Sequence, residues 1–261
     1  MCGACARGGR GGVRVSGPEF PESGGGPVLS CSDEAMPRQR GGDALAERTR
    51  NALARRRILA LHLMSSPGSG KTTLLERTLR EIGAATPISV IEGDQETHLD
   101  ADRLRGAGGR VVQINTGSGG HLDADMVEEG LRSLQPAGRS MVFIENIGNL
   151  AAPALFDLGE HHRVLIASIT EGEDKPLKYP HVFRTADLVL LNKVDLLPHL
   201  EFDVDRFVAH ARRVNPRLQV LALSAKSGDG VAEWCGWLRA HHDGTHGNGA
   251  HRGGAVPAQR A

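Results

Sequence analysis

The residues best placed for chemistry lie in a glycine-rich stretch at positions 65–73, which ends in a lysine and two threonines. Successive backbone N–H groups in such a turn, at the positive end of a helix, form a concave site for anions. The lysine adds a charge for the β and γ phosphates of a nucleotide, and the next hydroxyl is placed to ligate Mg²⁺. An ordinary glycine-rich turn would explain the glycines but not the Lys-Thr pair. The predicted phosphate-binding residues are Pro67, Gly68, Ser69, Gly70, Lys71, Thr72 and Thr73.

Two carboxylates that each follow an apolar run are candidate ligands for Mg²⁺. Asp94 and Glu145 are of the type that Mg²⁺ takes alongside water and phosphate, although a solvated turn residue is the alternative for each. Gly148, three residues after Glu145, can present its backbone N–H to a γ-phosphate, so this stretch would sense a triphosphate. The predicted Mg²⁺ ligands are Thr72, Asp94 and Glu145, and the predicted catalytic residues are Lys71, Asp94 and Glu145.

A second group of residues predicts recognition of a base. The sequence Asn-Lys-Val-Asp ends at Asp195, whose carboxylate can accept hydrogen bonds from N1–H and the exocyclic amine of guanine. Adenine has neither an N1–H nor an amine at position 2, so Asp195 favours GTP over ATP. The Lys193 and Lys226 side chains can cover the faces of the base, and the Ala225 N–H can donate to the guanine carbonyl. The predicted base-site residues are Asn192, Lys193, Asp195, Ser224, Ala225 and Lys226.

The elements that must position these residues alternate between apolar runs and helical patterns. The runs are rich in Val, Ile and Leu without polar alternation, which indicates strands covered on both faces. This rhythm predicts an α/β fold of the P-loop NTPase type, a three-layer, doubly wound, mainly parallel sheet. Ligands of such sheets bind beyond the carboxyl ends of the strands, where the candidates fall. Predicted strands are 58–64, 88–91, 111–114, 141–144, 164–169, 188–191 and 220–223, and predicted helices are 72–81, 123–134, 203–214 and 231–240.

Composition predicts one folded domain, at 43–242, with a tail at each end. Residues 1–42 are dominated by small and polar residues that cannot bury enough surface to fold, so we expect a disordered tail. We expect the domain to open with a short helix capped by Asp43. The Gly- and His-rich segment 243–261 is expected to be flexible. The histidines of the carboxyl-terminal region, His241, His242, His246 and His251, could hold metal loosely or be merely solvated.

Charge and hydropathy exclude several function classes. The formal net charge is +0, so no basic field exists to hold nucleic acid or an anionic membrane nonspecifically. The longest apolar runs are far shorter than the roughly 20 residues needed to cross a bilayer, and no signal-peptide core is present at the start. The four cysteines are too few and too unevenly spaced for a secreted disulfide framework. We therefore expect a cytoplasmic protein with reduced thiols.

Seven stretches together resemble the signature of the HypB family of hydrogenase nickel-incorporation GTPases. The resemblance runs from about residue 43 to about residue 240, and a urease-accessory GTPase would share the nucleotide motifs but not the sequences at 149–150 and 175–180. It implies a slow GTPase that dimerises with GTP bound and helps load nickel into nickel–iron hydrogenase, with a HypA-type metallochaperone and the hydrogenase large subunit as partners. The stretches are 65–73, 92–95, 115–117, 121–124, 145–150, 171–180 and 192–195.

The resemblance also implies a nickel or zinc site, built from a Cys-His pair and a second Cys, that this sequence lacks in part. Gly120 and Ala152 stand at the two cysteine positions, and only His121 is kept. One imidazole is a poor substitute for two thiolates, so we expect this site to be weak or absent. His121 would then be structural or solvent-exposed.

Cys2 and Cys5 form a second candidate for nickel near the initiator Met. Some family members open with three cysteines, whereas Ala6 stands at the third position here. Two thiolates, the α-amine and a backbone amide could form a square-planar Ni²⁺ site. The alternative is two unpaired thiols on a flexible tail.

Several functions are compatible with these motifs. The first is a maturation GTPase whose hydrolysis acts as a timing switch, either for hydrogenase or for another client such as urease or a cobalamin enzyme. The second is a nickel-storage or scaffold protein that uses GTP structurally, which the low density of metal ligands disfavours. A variation of the first keeps GTP-driven dimerisation but leaves nickel to the partner. Gln95 is a candidate for positioning the water, and no general base is evident.

Overall fold

The computed structural model describes residues 12–16, 29–30, 39–94, 99–116, 120–148, 150 and 156–244. Within these ranges the chain alternates between strands and helices, as the sequence predicts. The strands are β1 Gly12–Ser16, β2 Leu29–Ser30, β3 Leu59–Ser65, β4 Ile88–Asp94, β5 Arg110–Asn115, β6 Met141–Glu145, β7 His162–Ser168, β8 Leu188–Asn192 and β9 Gln219–Ala222. The helices are α1 Gln39–Arg55, α2 Lys71–Ile82, α3 Leu99–Gly106, α4 Ala124–Leu134, α5 Lys175–Lys178, α6 Pro180–Thr185, α7 Val204–Val214 and α8 Val231–Gly244.

The described strands form one sheet in the order β2-β1-β5-β4-β6-β3-β7-β8-β9. The seven strands from β5 to β9 in this order are all parallel, and β1 and β2 add an antiparallel edge. Strand β3, which leads into the glycine-rich turn, lies in the centre between β6 and β7. This order confirms the predicted doubly wound P-loop fold, and it places the ends of β3 and β6 side by side.

Helices cover both faces of the sheet, so the molecule has three layers. Alternate residues of β3 point to opposite sides: Leu61 packs in one core with α2, α3 and α8, whereas Ala60 packs in another with α1 and α4. A third cluster joins β7 and β8 to α6 and α7. Because both faces are buried, the strands have no polar alternation, and every residue of β3, β6 and β8 is buried.

Helix starts at the carboxyl edge of the sheet follow the expected capping chemistry. Asp123 caps α4 by accepting a hydrogen bond from Met126 N at 2.8 Å, and Asp203 caps α7 by accepting from Arg206 N at 3.0 Å. The Asp123 cap also fixes the position of the residues directly before it, which include His121. The predicted starts of these two helices are confirmed.

The amino-terminal region differs from the expectation of a disordered tail and a helix capped by Asp43. Strand β1 pairs antiparallel with β5, with Val13 opposite Ile114, and α1 begins at Gln39, so Asp43 lies inside the helix. The edge of β5 offers unpaired backbone groups, which favours a strand that returns from far away in the chain. Composition does not reveal such a partner. Cys2 and Cys5 lie outside the described residues.

The carboxyl-terminal helix continues past the predicted domain end. Helix α8 extends through Gly244. The His241 ring stacks on Trp237, with 3.8 Å between the ring centroids, and His242 is buried, so both belong to the fold and not to a solvated tail. Cys235 is a buried core thiol, and burial raises its pKa. Among the described residues, no helix is long and apolar enough to span a membrane.

Candidate nucleotide site

The glycine-rich turn joins the end of β3 directly to the start of α2. Gly68 and Gly70 have φ values of 70° and 95°, a backbone region that side chains rarely adopt. At Gly70 a Cβ atom would lie 2.4 Å from Nδ2 of Asn192. Glycine is therefore required at Gly70 both by the turn and by the close approach of the base loop. The Leu74 N–H donates to Gly70 O at 3.0 Å, which begins the hydrogen-bond pattern of α2 and leaves the preceding N–H groups facing the turn.

Lys71, Thr72 and Glu145 meet where β3 and β6 end side by side. The Lys71 ammonium donates to Oε1 of Glu145 at 2.6 Å, and the Thr72 hydroxyl lies 3.2 Å from the same oxygen. Glu145 is buried, and its Oε2 has no hydrogen-bond partner among the described residues. A buried carboxylate oxygen in this position is suited to a cation, since leaving it unpaired is costly.

Asp100 adds a second carboxylate that the sequence did not single out. Its Oδ2 accepts a hydrogen bond from the Thr72 hydroxyl at 3.0 Å. Thr72, Glu145 and Asp100 thus present oxygen ligands of the kind and number that Mg²⁺ uses beside phosphate, so the residues fit this ion. Asp94 ends β4, but its side chain lies outside the described residues, so its assignment as a ligand stays a prediction. The signal in the sequence that could have identified Asp100 was its position a few residues after β4, at the carboxyl edge of the sheet.

Asn192 ties the base loop to the glycine-rich turn. Its Nδ2 donates to Ser69 O at 2.8 Å, and its Oδ1 accepts from Lys193 N at 2.8 Å and from Ala225 N at 3.0 Å. Asn192 is therefore satisfied on both sides and holds three loops together. The Ala225 N–H is engaged by Asn192, and its donation to a guanine carbonyl stays a prediction. Register explains this: β8 and β9 are paired neighbours, so their following loops touch.

Lys193 and Asp195 lie in the loop that directly follows β8. The Lys193 ammonium donates to Gly68 O at 2.7 Å, which lays its stem across the turn. Oδ1 of Asp195 is buried and has no hydrogen-bond partner among the described residues. Ser224 is buried and its hydroxyl oxygen accepts from Ser227 N at 3.0 Å, whereas Lys226 is exposed. The carboxylate of Asp195 is thus an acceptor in need of donors.

Gly148 and Lys175 complete the surroundings of the phosphate turn. A Cβ at Gly148 would lie 3.0 Å from backbone atoms of Pro67, so the stretch after Glu145 rests against the turn. The Lys175 ammonium donates to the Ser66 hydroxyl at 2.8 Å and pairs with Glu171 at 2.7 Å. Lys175 carried no role in the sequence interpretation, although its stretch was part of the family resemblance. Thr73 receives a hydrogen bond from Arg103 at 3.2 Å and lies at the rim.

The loop around His121 is the region in which the resemblance implies a nickel or zinc site. The His121 ring stacks on Phe156, with ring centroids 4.4 Å apart and 14° between the planes. Gly120 has a φ of 63°, where a cysteine would be strained. Within the described ranges, no group of three or more His, Cys, Asp or Glu side chains is arranged to hold a metal ion. Ala152, Cys2, Cys5 and Gln95 lie outside those ranges.

Comparison with known proteins agrees with this geometry. The family model described as CobW/HypB/UreG, nucleotide-binding domain, matches residues 59–222. The hydrogenase maturation factor HypB of Azotobacter vinelandii is 58% identical over 181 residues, which cover 69% of this chain and 60% of the relative. HypB of Escherichia coli K12 is 55% identical over 194 residues, which cover 74% of this chain and 67% of the relative. The chain thus spans 60% of the length of the Azotobacter protein.

Two solved structures share the fold. HypB from Archaeoglobus fulgidus has a TM-score of 0.73 at 39% identity and covers 78% of this chain and 99% of its own. HypB from Helicobacter pylori, solved in complex with nickel, has a TM-score of 0.73 at 31% identity and covers 81% of this chain and 99% of its own. With the phosphate turn, the base loop and these relatives in agreement, the chain belongs to the HypB family of the CobW/HypB/UreG nucleotide-binding proteins.

Proposed function

We propose that this chain binds GTP with Mg²⁺, hydrolyses it to GDP and phosphate, and serves as an accessory protein for nickel insertion during maturation of nickel–iron hydrogenase. The observation that supports the choice of nucleotide is the buried Oδ1 of Asp195, which lacks a partner among the described residues. Guanine offers the two N–H donors that such a carboxylate accepts, whereas adenine offers neither. Relatives named as hydrogenase maturation factors support the role.

The residues of the turn and strand ends have separate tasks in this proposal. The N–H groups of the turn and the Lys71 ammonium would hold the phosphates, and Thr72, Glu145 and Asp94 would hold Mg²⁺, with Asp100 as an additional candidate ligand. The ion neutralises charge on the phosphate oxygens when bound. Gly148 packs on Pro67, and in this proposal its N–H donates to a γ-phosphate. Water adds to the γ-phosphorus as the bond to the bridging oxygen breaks, and the leaving oxygen stays with GDP.

The wider role combines a nucleotide-controlled homodimer with partners that carry the metal. Hydrolysis would release the loops that a γ-phosphate orders, and so end the dimeric state. A HypA-type metallochaperone and the hydrogenase large subunit are the proposed partners, in the cytoplasm and without nucleic acid. Because Gly120 and Ala152 stand where the resemblance has metal-binding cysteines, nickel would be carried by the partner.

A pair of titrations tests this function. The purified, reduced chain is first titrated with GTP, GDP and ATP in the presence of Mg²⁺, and we expect binding of the guanine nucleotides alone. Ni²⁺ is then titrated by calorimetry with GDP and with a nonhydrolysable GTP analogue, while the mass is followed in parallel. A dimer in the triphosphate state without nickel binding would support a docking switch. Tight nickel binding in either state would replace it with direct metal handling.

A further inference from the structure

We propose that Asn146 is a positioning residue that couples the nucleotide site to the loop of His121 and Leu122. Asn146 is fully buried and follows Glu145 directly, so it belongs to the stretch that faces the phosphate turn. The inference rests on the proposed GTP cycle and adds a route by which the nucleotide state is passed to a distant loop. It assigns no new chemistry to Asn146.

One oxygen atom of Asn146 holds both segments. Its Oδ1 accepts a hydrogen bond from Ile147 N at 3.0 Å, in the stretch that we expect to sense the triphosphate. The same Oδ1 accepts from Leu122 N at 3.2 Å, in the loop that carries His121. Two N–H donors converge on this atom, so it must be the oxygen of the side-chain amide and not its nitrogen.

The other side of the Asn146 amide is fixed by a histidine. Its Nδ2 lies 3.2 Å from Nε2 of His62, a residue in the middle of β3 with no exposed surface. Burial lowers the pKa of His62 to about 3, so the ring is neutral and Nε2 can accept from the amide. The proton then resides on Nδ1, 4.0 Å from Oε1 of Glu160. Asn146 therefore cannot rotate without breaking several buried hydrogen bonds.

Leu122 is also held from the side of β4. A Cβ at Gly93 would lie 2.8 Å from Cγ of Leu122, so this side chain packs directly on the strand backbone. Gly93 precedes Asp94, which is a predicted Mg²⁺ ligand. Leu122 is thus fixed between the ends of β4 and β6, and each of these ends leads to a predicted ligand.

This arrangement makes the His121 loop follow the nucleotide. The Leu122 side chain is fully buried, so an N–H that loses Asn146 has no water to replace it, and burying it unpaired is costly. A shift of residues 145–148 toward a γ-phosphate therefore moves the loop or breaks this bond. The route consists of protein atoms alone, and it functions with Gly120 and Ala152 in place of metal-binding cysteines.

Hydrogen exchange at the Leu122 amide tests the coupling. The full chain is compared by NMR with GDP and with a nonhydrolysable GTP analogue, and we expect exchange rates that differ at least about tenfold between the two states. In Asn146→Ala this difference should disappear. In Asn146→Asp, which keeps an acceptor oxygen, it should persist. Asn215→Ala is the matched control, because Asn215 makes similar amide bonds to Phe183 O and Ala186 O on α6 and the segment after it.

Each result of this experiment either supports the coupling through Asn146 or contradicts it. A nucleotide-dependent difference that survives Asn146→Ala, or its absence from the unmodified chain while both nucleotides bind, would overturn the coupling and leave the proposed function standing. Failure of the unmodified chain to bind guanine nucleotides would overturn both. Should Asn146→Ala not fold, Gly93→Ala displaces Leu122 from the other side and should also remove the difference. A Gly93→Ala chain that keeps it would contradict the proposal.

Discussion

The loops that face the nucleotide and the loop around His121 lie along the same edge of the sheet but are built differently. The first are linked by side chains with specific partners, such as Asn192, which bonds to Ser69, Lys193 and Ala225. The contacts of the second include a ring stack on Phe156, a hydrogen bond to the amide oxygen of Asn146 and the packing of Leu122 on Gly93. The nucleotide loops keep the Lys-Thr pair and the Asn-Lys-Val-Asp sequence, whereas Gly120 and Ala152 stand where the resemblance has the two cysteines of a metal site and only His121 is kept. The difference teaches that the proposed nucleotide cycle of this chain does not depend on those cysteines.

The largest expected effect is on the nucleotide side. Lys71→Ala removes the ammonium that faces the phosphates, and we expect GTP hydrolysis to fall by about 100-fold or more, as is typical when one preorganised donor is lost. Steady-state phosphate release measures this. Arg80→Ala, on the same helix but pairing with Glu76 on the exposed side, should change the rate little. Equal losses in both variants would show that the helix and not the ammonium is responsible.

The second-largest effect is expected on GTP affinity, and it tests whether Asp195 recognises guanine. Asp195→Asn replaces a double acceptor by an amide, so GTP should bind about 10- to 100-fold more weakly, the cost of one or two charge-assisted hydrogen bonds. Xanthosine triphosphate carries a carbonyl where guanine has the amine, and it should bind the variant better than the unmodified chain. Competition with a fluorescent nucleotide measures both. If GTP affinity is unchanged, Asp195 does not contact the base.

A smaller effect is expected on the free energy of unfolding when His62 is changed. The His62 ring contacts Asn146, which lies between the nucleotide loops and the loop around His121. Burial lowers the pKa of His62 from 6.5 to about 3, so below pH 6.5 the unfolded chain takes up a proton that the folded chain does not. Stability should therefore be lost as the pH falls from about 6.5 towards 3, by up to about 1.4 kcal/mol per pH unit from this residue. His62→Gln keeps an acceptor without this titration, so its free energy of unfolding should depend less steeply on pH.

Urea unfolding between about pH 7 and pH 4.5 provides the comparison. Burial also lowers the pKa of His161, to about 4, but that residue is present in both chains and cancels. Identical slopes for His62→Gln and the unmodified chain would mean that His62 is protonated in the fold, and the assignment of its Nε2 as acceptor would be wrong.

The smallest effect is expected when the loop around His121 is changed. His121→Ala should leave nickel binding and GTP hydrolysis unchanged and should lower the free energy of unfolding by only about 1 kcal/mol, the value of one ring stack. Calorimetry with Ni²⁺ and a denaturant titration measure the two quantities. A loss of nickel binding would restore a metal role to His121 and remove the contrast between the two regions.

The sequence was most informative about candidate functional residues that lie at or directly after the end of a strand. The spacing that places Lys71 and Thr72 after β3, Glu145 after β6 and Asp195 after β8 could be predicted, because parallel strands bring these ends to one edge. The hydrogen bond of Asp100 to Thr72 could not, since it depends on where α3 begins after a loop of unconstrained length. The engagement of the Ala225 N–H likewise follows from the pairing of β8 with β9, which local patterns do not encode.

Strand β1 is a second feature that could not be predicted from the local sequence. Residues 12–16 carry no composition typical of a folded domain, yet they pair with β5 in a register that joins Val13 to Ile114. Such contacts between remote segments are specified by the partner's free edge and not by the local sequence. Helix starts with an aspartate cap, such as Asp123 and Asp203, were by contrast predictable from three or four residues.

The packing of α8 gives the protein an intrinsic optical reporter. The chain has two tryptophans, and both lie on this helix. Trp234 is buried, stacks on Trp237 at 5.7 Å and donates its indole N–H to Thr78 on α2 at 3.0 Å. Ultraviolet emission will therefore follow the detachment of α8 from the helix that begins at Lys71. Unfolding can therefore be recorded without any label.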